Sequence, residues 1–189
     1  MLRGFFLVLL ASSLVACAAP PAATPAAGTA PPSQDAAALF PLLGDVHRLL
    51  VQDHLSVAAL AESVGTIAKD PGAPLPTVIR PRLPGLTAAR IFQQPRGVIA
   101  TLELDFAPSA RPTIEQLRGL FGEDRVVLFH LHGERMTMFY PRAKGRHFSV
   151  VVTATAARCA EPHPQGDACD KLDAASLLQS LELRRDPEP

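Results

Sequence analysis

Apolar residues recur at helical spacing just after residue 34. Between Asp35 and Lys69 they fall three or four positions apart, with one longer gap at Asp53-His54; they are Leu39, Leu43, Val46, Leu50, Val57, Leu60, Val64 and Ile67. This spacing predicts an amphipathic helical segment that ends at Asp70-Pro71-Gly72. The gap predicts either a kink or a turn between two helices, with Asp53 as the N-cap of the second.

Further along the chain, alternation of apolar and polar residues predicts strands. Thr87–Phe92 and Val98–Phe106 flank Gln94-Pro95-Arg96-Gly97, a tetrad typical of a turn. A short edge strand is expected at Thr77–Arg80, within a proline-rich loop. On the Val98–Phe106 strand, one predicted face carries Val98, Ala100, Leu102, Leu104 and Phe106, and the other carries Thr101, Glu103 and Asp105.

A capped helix is predicted in the middle of the chain. Thr113 and Gln116 have the spacing of a capping box, and Gly122 is a stop signal. The apolar face of this helix is expected to consist of Ile114, Leu117, Leu120 and Phe121.

A hairpin is predicted to follow, because Val126–His132 and Arg135–Tyr140 flank Gly133-Glu134. A two-residue turn there pairs residue 131 with 136 and residue 129 with 138. That register predicts one core-facing set, made of Val127, Phe129, Leu131, Met136, Met138 and Tyr140.

The remaining pattern completes the predicted fold. His147–Thr155 is expected to be a strand with Phe148, Val150 and Val152 inward, and Asp170–Glu182 a helix with Leu172, Leu178 and Leu181 on one side. Together the elements predict an α+β fold, with an antiparallel sheet of four to five strands and helices packed on one face.

The first residues predict export and anchoring. Phe5–Ala16 is a twelve-residue run with two polar residues, too short for the ~20 residues that a membrane-spanning helix needs. The run ends in Leu14-Val15-Ala16-Cys17, which resembles the lipobox of bacterial lipoproteins. The resemblance implies cleavage before Cys17, acylation of that cysteine and, with Ala18 next, an outer-membrane location facing the periplasm. The alternative is an ordinary secretory signal cut near Ala18 or Ala19.

The chain then divides into four predicted parts. Residues 1–16 form the signal peptide, and 17–34 the lipidated cysteine with a tether that contains five prolines. Residues 35–72 form the helical segment and 73–189 the α+β domain.

Charge adds one candidate partner surface. The whole chain balances 18 basic against 18 acidic residues, which gives no indication of nucleic-acid binding. Residues 80–158 nevertheless hold twelve Lys or Arg against six Asp or Glu, and residues 159–189 hold three against seven. We therefore expect, besides the bilayer, either an envelope protein or an anionic envelope component as partner, or else internal balancing of the two segments.

Cys159 and Cys169 remain once Cys17 is assigned to lipid. An even pair in an oxidising compartment, separated by a turn-rich loop, predicts a structural disulfide. A redox site would favour a shorter spacing.

His130 and His132 are the candidate metal ligands. They alternate onto one strand face, away from Phe129, and a site needs further ligands. The hairpin register places His147 more than ~10 Å from His130, because strands rise by ~3.4 Å per residue. Glu103 or Asp105 would serve only if their strand lay beside His130.

Catalytic motifs give no positive indication. The sequence has no Gly-x-Ser-x-Gly motif and no glycine-rich phosphate loop. The segment Arg111–Tyr140 is similar to the small α-β-β lipoproteins that assist outer-membrane barrel assembly. This similarity supports the architecture rather than the function. From the anchor and the lack of a recognised catalytic motif we expect a non-catalytic envelope accessory or binding lipoprotein without a cofactor; the alternatives are a periplasmic metal-binding protein and an unrecognised hydrolase.

Overall fold

The computed structural model describes residues 34–94, 99–127, 135–141, 148–156 and 172–187, which belong to one compact unit, Pro32–Pro189. The elements are α1 (Gln34–Leu50), α2 (Val57–Val64), β1 (Gly65–Lys69), β2 (Thr77–Pro81), β3 (Leu86–Gln93), β4 (Ile99–Phe106), a short 3-10 helix (Pro108–Ala110), α3 (Ile114–Phe121), β5 (Asp124–Val127), β6 (Met136–Phe139), β7 (Phe148–Ala156) and β8 (Leu178–Pro187). Within these ranges, no helix has the length and apolar character needed to cross a membrane.

The strands form one antiparallel sheet in the order β1-β2-β3-β4-β8-β7-β6-β5. Each half is a four-stranded meander, and the two meanders meet where β4 pairs with β8. An antiparallel sheet with three α-helices confirms the α+β prediction. The predicted strand number of four to five is wrong, because the sheet has eight strands and two of them, β1 and β8, lie in segments predicted to be helical.

One face of the sheet forms the core with the helices. Fully buried leucines from the helices and from the sheet belong to a single apolar cluster; examples are Leu43, Leu60, Leu117, Leu102 and Leu183. We call this side of the sheet the helix face and the other side the open face. On β7, Val150 and Val152 are buried in the same cluster, as predicted.

The N-terminal helical segment contains two helices, and its second half departs from prediction. Ser56, rather than Asp53, caps α2, and its Oγ accepts a hydrogen bond of 3.1 Å from the backbone of Ala59. The helix ends at Val64, and the chain becomes strand β1 at Gly65. A side chain at Gly65 would overlap the carbonyl of Arg80, so the close pairing of β1 with β2 requires glycine there.

The capped helix α3 confirms its prediction in detail. The Thr113 Oγ1 accepts from the backbone of Gln116 at 3.2 Å, and the Gln116 amide oxygen accepts from the backbone of Thr113 at 2.9 Å. Gly122 follows the helix with a positive φ of 85°, a conformation that favours glycine.

The predicted helix over Asp170–Glu182 is wrong where the structure describes it, because Leu178 begins the central strand β8. Thr155 pairs with Ser180 and Ala156 with Leu178, so Gln179 is the extra residue of a β-bulge. The bulge shifts the side-chain alternation, and Leu178 and Leu181 are both buried although they stand three positions apart. That spacing is the one a helix would give.

A similar bulge alters the predicted face of β4. Phe92 pairs with Thr101 and Gln93 with Ile99, so Ala100 is the extra residue. Ile99 is therefore buried in place of Ala100, whereas Leu102, Leu104 and Phe106 face the core as predicted.

The predicted register of the Val126–Tyr140 hairpin is also wrong. Met136 pairs with Val127 rather than with residue 131, a shift of four positions. On β6 the buried residues are Thr137 and Phe139, and Tyr140 is 48% exposed. Three of the six residues predicted for the core, Met136, Met138 and Tyr140, therefore share the open face, because the helices cover the side that carries Phe139.

Candidate functional site

The site residues predicted from sequence lie outside the described residues. This applies to the lipidation site Cys17, to the pair Cys159 and Cys169, and to the candidate metal ligands His130 and His132. Their assignments stay predictions.

Glu103 and Asp105, the conditional metal ligands, are described and lie on β4. Strands β8, β7 and β6 separate β4 from β5, whose residues 126 and 127 begin the strand predicted to carry His130. Across the part of the chain that the structure describes, no group of three or more His, Cys, Asp or Glu residues could hold a metal ion.

The open face carries a shallow groove of about 240 Å³ near the junction of the two meanders. Its polar lining comes from four strands and includes Arg90, Glu103, Asp105, Thr153, Thr155, Ser180 and Glu182. Each of these strands turns alternate residues toward the core, so the residues between them face the groove, and most of those are polar.

Arg90 binds two carboxylates at one end of the groove. Its Nε donates to Glu103 at 2.9 Å, and its Nη2 donates to Asp105 at 2.8 Å. The hydrogen bond to Glu103, followed by the one to Asp105, raises the pKa of Arg90. A planar guanidinium suits this task because its donors diverge from one rigid group.

Glu182 lies directly across the β4–β8 pairing from Glu103. Burial raises the pKa of Glu182, and the negative charge of Glu103 raises it further, while Arg184 acts in the opposite direction. Within the described residues no donor forms a hydrogen bond with the Glu182 carboxylate. Like charges on directly opposite residues destabilise a sheet, so a positive group placed near Glu182 would stabilise this pairing.

A second feature of the open face is the Met–Tyr strip, defined as Met136, Met138 and Tyr140. The Tyr140 hydroxyl donates to the Met138 sulfur at 3.3 Å, and the Arg125 guanidinium lies 5.5 Å from the centre of the Tyr140 ring. Tyr140 and Arg125 are exposed and the two methionines are half-buried. Tyrosine, methionine and arginine are residue types enriched at protein interfaces.

The groove and the strip were only partly visible in the sequence. Alternation along β4 correctly assigned Glu103 and Asp105 to the face away from the core. Nothing in the sequence pairs Arg90 with them, because β3 and β4 meet through a bulged register. The sequence did not place Glu182 in the groove because its segment was predicted to be helical. It did not predict the exposed strip because the predicted hairpin register was wrong.

Comparison with known proteins gave no relative from which a function could be transferred: no family model, no curated protein and no solved structure matches this chain.

Proposed function

We propose that this chain is a membrane-anchored, periplasm-facing lipoprotein that acts as a non-catalytic envelope accessory or binding protein. The observation that carries the proposal is Leu14-Val15-Ala16-Cys17 at the end of a short apolar run. Acyl chains on Cys17 would hold the protein to the bilayer, because two or more chains anchor stably where one does not. The proline-rich residues that follow would keep the folded domain away from the lipid surface.

Replacement of Cys17 tests the anchor. Cys17→Ser should abolish metabolic labelling with a radioactive fatty acid and leave the unprocessed precursor in the cell. Ser12→Ala is a matched control, because it changes a hydroxyl of the same run and leaves the cysteine intact. Normal labelling of the Cys17→Ser chain would contradict the proposal.

The open face supports the binding role. Among the described residues it has a groove with a carboxylate that forms no ion pair and, beside it, the Met–Tyr strip with its exposed Tyr140 ring, whereas the helix face is filled by the core. The described helices lie on one side of the sheet, so the other side offers a surface to another molecule.

A photo-cross-linking residue at Ala88 tests this role. Ala88 pairs with Asp105 on the open face, at the rim of the groove. In intact cells the full-length chain should form a discrete cross-linked product from position 88. The same residue at Glu115, which is exposed on α3, is the control. No product from either position, or the same products from both, would argue against binding through the open face.

A disulfide between Cys159 and Cys169 belongs to the same proposal. A periplasmic location would favour its oxidation, and closing a loop of this length would stabilise the domain by ~2–3 kcal/mol. Mass spectrometry of protein isolated without reductant should find the two cysteines linked. Two freely alkylated thiols in native protein would exclude the bridge.

Metal binding through His130 and His132 is the second candidate function, favoured by their spacing of two along a predicted strand. Equilibrium dialysis with Zn²⁺ and Cu²⁺ tests it. Stoichiometric uptake that is lost in the double variant His130→Ala/His132→Ala would support the metal site, and equal uptake by both chains would exclude it.

A further inference from the structure

One row of residues crosses the open face with an uneven distribution of charge. The paired positions run Arg125, Met138, Thr153, Glu182, Glu103 and Arg90, from β5 across to β3. Arg90 is neutralised by two carboxylates. Arg125 and Glu182 have opposite charges, and neither forms an ion pair within the described residues. They lie three strands apart, ~14 Å at ~4.8 Å per strand, too far to pair within one molecule.

A two-fold axis would bring these two charges together between two molecules. If the axis lies along the strands, midway between β6 and β7, then β5 of one copy faces β8 of the other, and β6 faces β7. Arg125 of each copy then lies opposite Glu182 of the other. This reciprocity is the defining property of a two-fold interface, in which one contact is made twice.

The same axis places the Met–Tyr strip of each copy opposite β7 of the other. Tyr140 comes opposite Val151, which is nearly buried at 8% exposure, and the half-buried Met138 and Met136 come opposite Thr153 and Thr155. Each copy would thus contribute one aromatic ring and two thioethers to the centre, with ion pairs on either side. Sheets pack at ~10 Å with strands nearly aligned, a separation that these side chains can span.

We propose that the open face of β5–β8 is a self-association surface and that its occupant is a second copy of this chain, bound face to face through reciprocal Arg125–Glu182 pairs. The contact supplies Glu182 with a donor, which it does not have among the described residues of the single molecule. The inference stands apart from the proposed function, because it requires neither the lipid anchor nor a ligand in the groove.

The size of the surface indicates a weak, reversible dimer. Four strands at ~4.8 Å give a width of ~19 Å. The four-residue strands β5 and β6 limit the overlap along the strands to ~14 Å at ~3.4 Å per residue, so the footprint is roughly 260 Å² per copy. That is ~520 Å² in total, below the ~1,200–2,000 Å² of stable complexes. Anchoring both copies to one membrane would raise their local concentration and favour the dimer.

Charge favours a second copy over an anionic bilayer as the occupant. Arg184, another cation near the strip, donates to Asp186 at 2.9 Å and is already neutralised. Glu103, Asp105 and Glu182 would face any surface laid across the whole sheet. An anionic membrane would therefore meet three carboxylates and one guanidinium, that of Arg90, whereas a second copy supplies charge of both signs in matching places.

Charge reversal tests the proposal. Native mass spectrometry of the full-length processed chain in mild detergent, over a concentration series, should show a reversible dimer. Glu182→Arg and Arg125→Glu should each raise the dissociation constant at least ~10-fold, since each variant places like charges together twice. Mixing the two variants should restore dimers, all of them mixed and recognisable by mass. Glu115 is exposed on α3, away from this face, and the control variant Glu115→Arg should dimerise normally.

Tyr140→Ser provides an independent check that does not alter charge. Its exposed ring is not part of the core, so the variant should keep the melting temperature of the parent and still lose affinity at least ~10-fold. A parent chain that is monomeric at every concentration would overturn the proposal. So would a dimer that neither reversal weakens, a mixture that fails to associate, or dimer-free chain that binds anionic vesicles through Arg125.

Discussion

The Nε–H of Arg185, on the last strand, donates to the carbonyl oxygen of Leu50, at the end of the first helix, over 2.8 Å. The same guanidinium donates to the carbonyl of Gln52 and lies 3.4 Å from the centre of the Phe148 ring. Arg185 is 6% exposed, and burial lowers its pKa, although a guanidinium keeps its charge. A buried cation thus satisfies carbonyl groups that the end of α1 leaves open and is favourably placed for the helix dipole.

Replacing Arg185 should therefore release the end of α1. Arg185→Met keeps an unbranched apolar side chain but leaves buried carbonyls without donors, and it should cost ~2–4 kcal/mol of unfolding free energy in urea titration. Hydrogen exchange should rise in the backbone around residues 47–53. Arg184→Met is the matched control; its side chain is 49% exposed, and the change should cost less than ~1 kcal/mol. Equal losses in the two variants would refute this role.

Gly65→Ala should prevent β1 from pairing with β2. The added methyl would overlap the Arg80 carbonyl and touch the backbone of Pro81, neither of which can move without breaking the strand pair. We expect a loss of at least ~3 kcal/mol in thermal or urea unfolding. Gly119→Ala, at an open position inside α3, should instead stabilise by ~0.5–1 kcal/mol. A tolerated Gly65→Ala would show that the strand pair is looser than described.

Asp124 should make the fold sensitive to acid. Its side chain is 3% exposed and accepts from Arg118 at 2.6 Å and from Thr137 at 2.7 Å. Burial alone would raise the pKa of Asp124, but these hydrogen bonds outweigh it, and the pKa lies below its ordinary value. The stabilisation is therefore complete above the unfolded-state pKa and is lost as pH falls through the lower folded-state pKa.

Asp124→Asn should cost ~2–3 kcal/mol at neutral pH and little once the native carboxyl is protonated, which melting curves across the acid range would measure. Glu115→Gln removes the other, 67% exposed partner of Arg118 and should change stability by less than ~0.5 kcal/mol. A loss of equal size at every pH would assign the effect to packing rather than to charge.

Glu182 should show the opposite pH dependence. Because its pKa is raised by burial and by Glu103, the charged form is disfavoured in the fold. The contribution of Glu182 to the free energy of unfolding is greatest below its unfolded-state pKa and falls as pH rises towards its folded-state pKa. In dilute, monomeric protein, Glu182→Gln should raise the melting temperature at neutral pH but not in acid. Solvent screening should keep the increase in unfolding free energy below ~1 kcal/mol. Glu62 is exposed on α2, and Glu62→Gln should leave the melting temperature unchanged at either pH.

Local signals predicted the parts of this fold that local interactions determine. The capping box of α3 needs only Thr113, Gln116 and Gly122, and all three behave as the sequence indicates. The β3–β4 pairing was predicted from alternation on either side of a turn signal. These elements bring their partners within a few residues, so spacing alone identifies them.

The elements that sequence misassigned depend on distant partners. Leu178 and Leu181 stand at helical spacing because a bulge at Gln179, set by the pairing with β7, turns both toward the core. Met138 alternates as a core residue would, yet the helices cover the other face of β6. The groove likewise combines single residues from several strands, so no contiguous sequence motif identifies it.

The central position of β8 sets the order in which the domain can be completed. Residues 178–187 come last in the chain among the described strands. They nevertheless pair with both β4 and β7 and join the two meanders. A chain emerging from its N-terminal end, whether from a ribosome or through a membrane, would hold two unjoined half-sheets with exposed inner edges. Closing the sheet needs contacts between residues that are far apart in sequence, which makes this a slow step in folding. A chain shortened before Leu178 should therefore be a substrate for proteases and chaperones rather than a smaller folded domain.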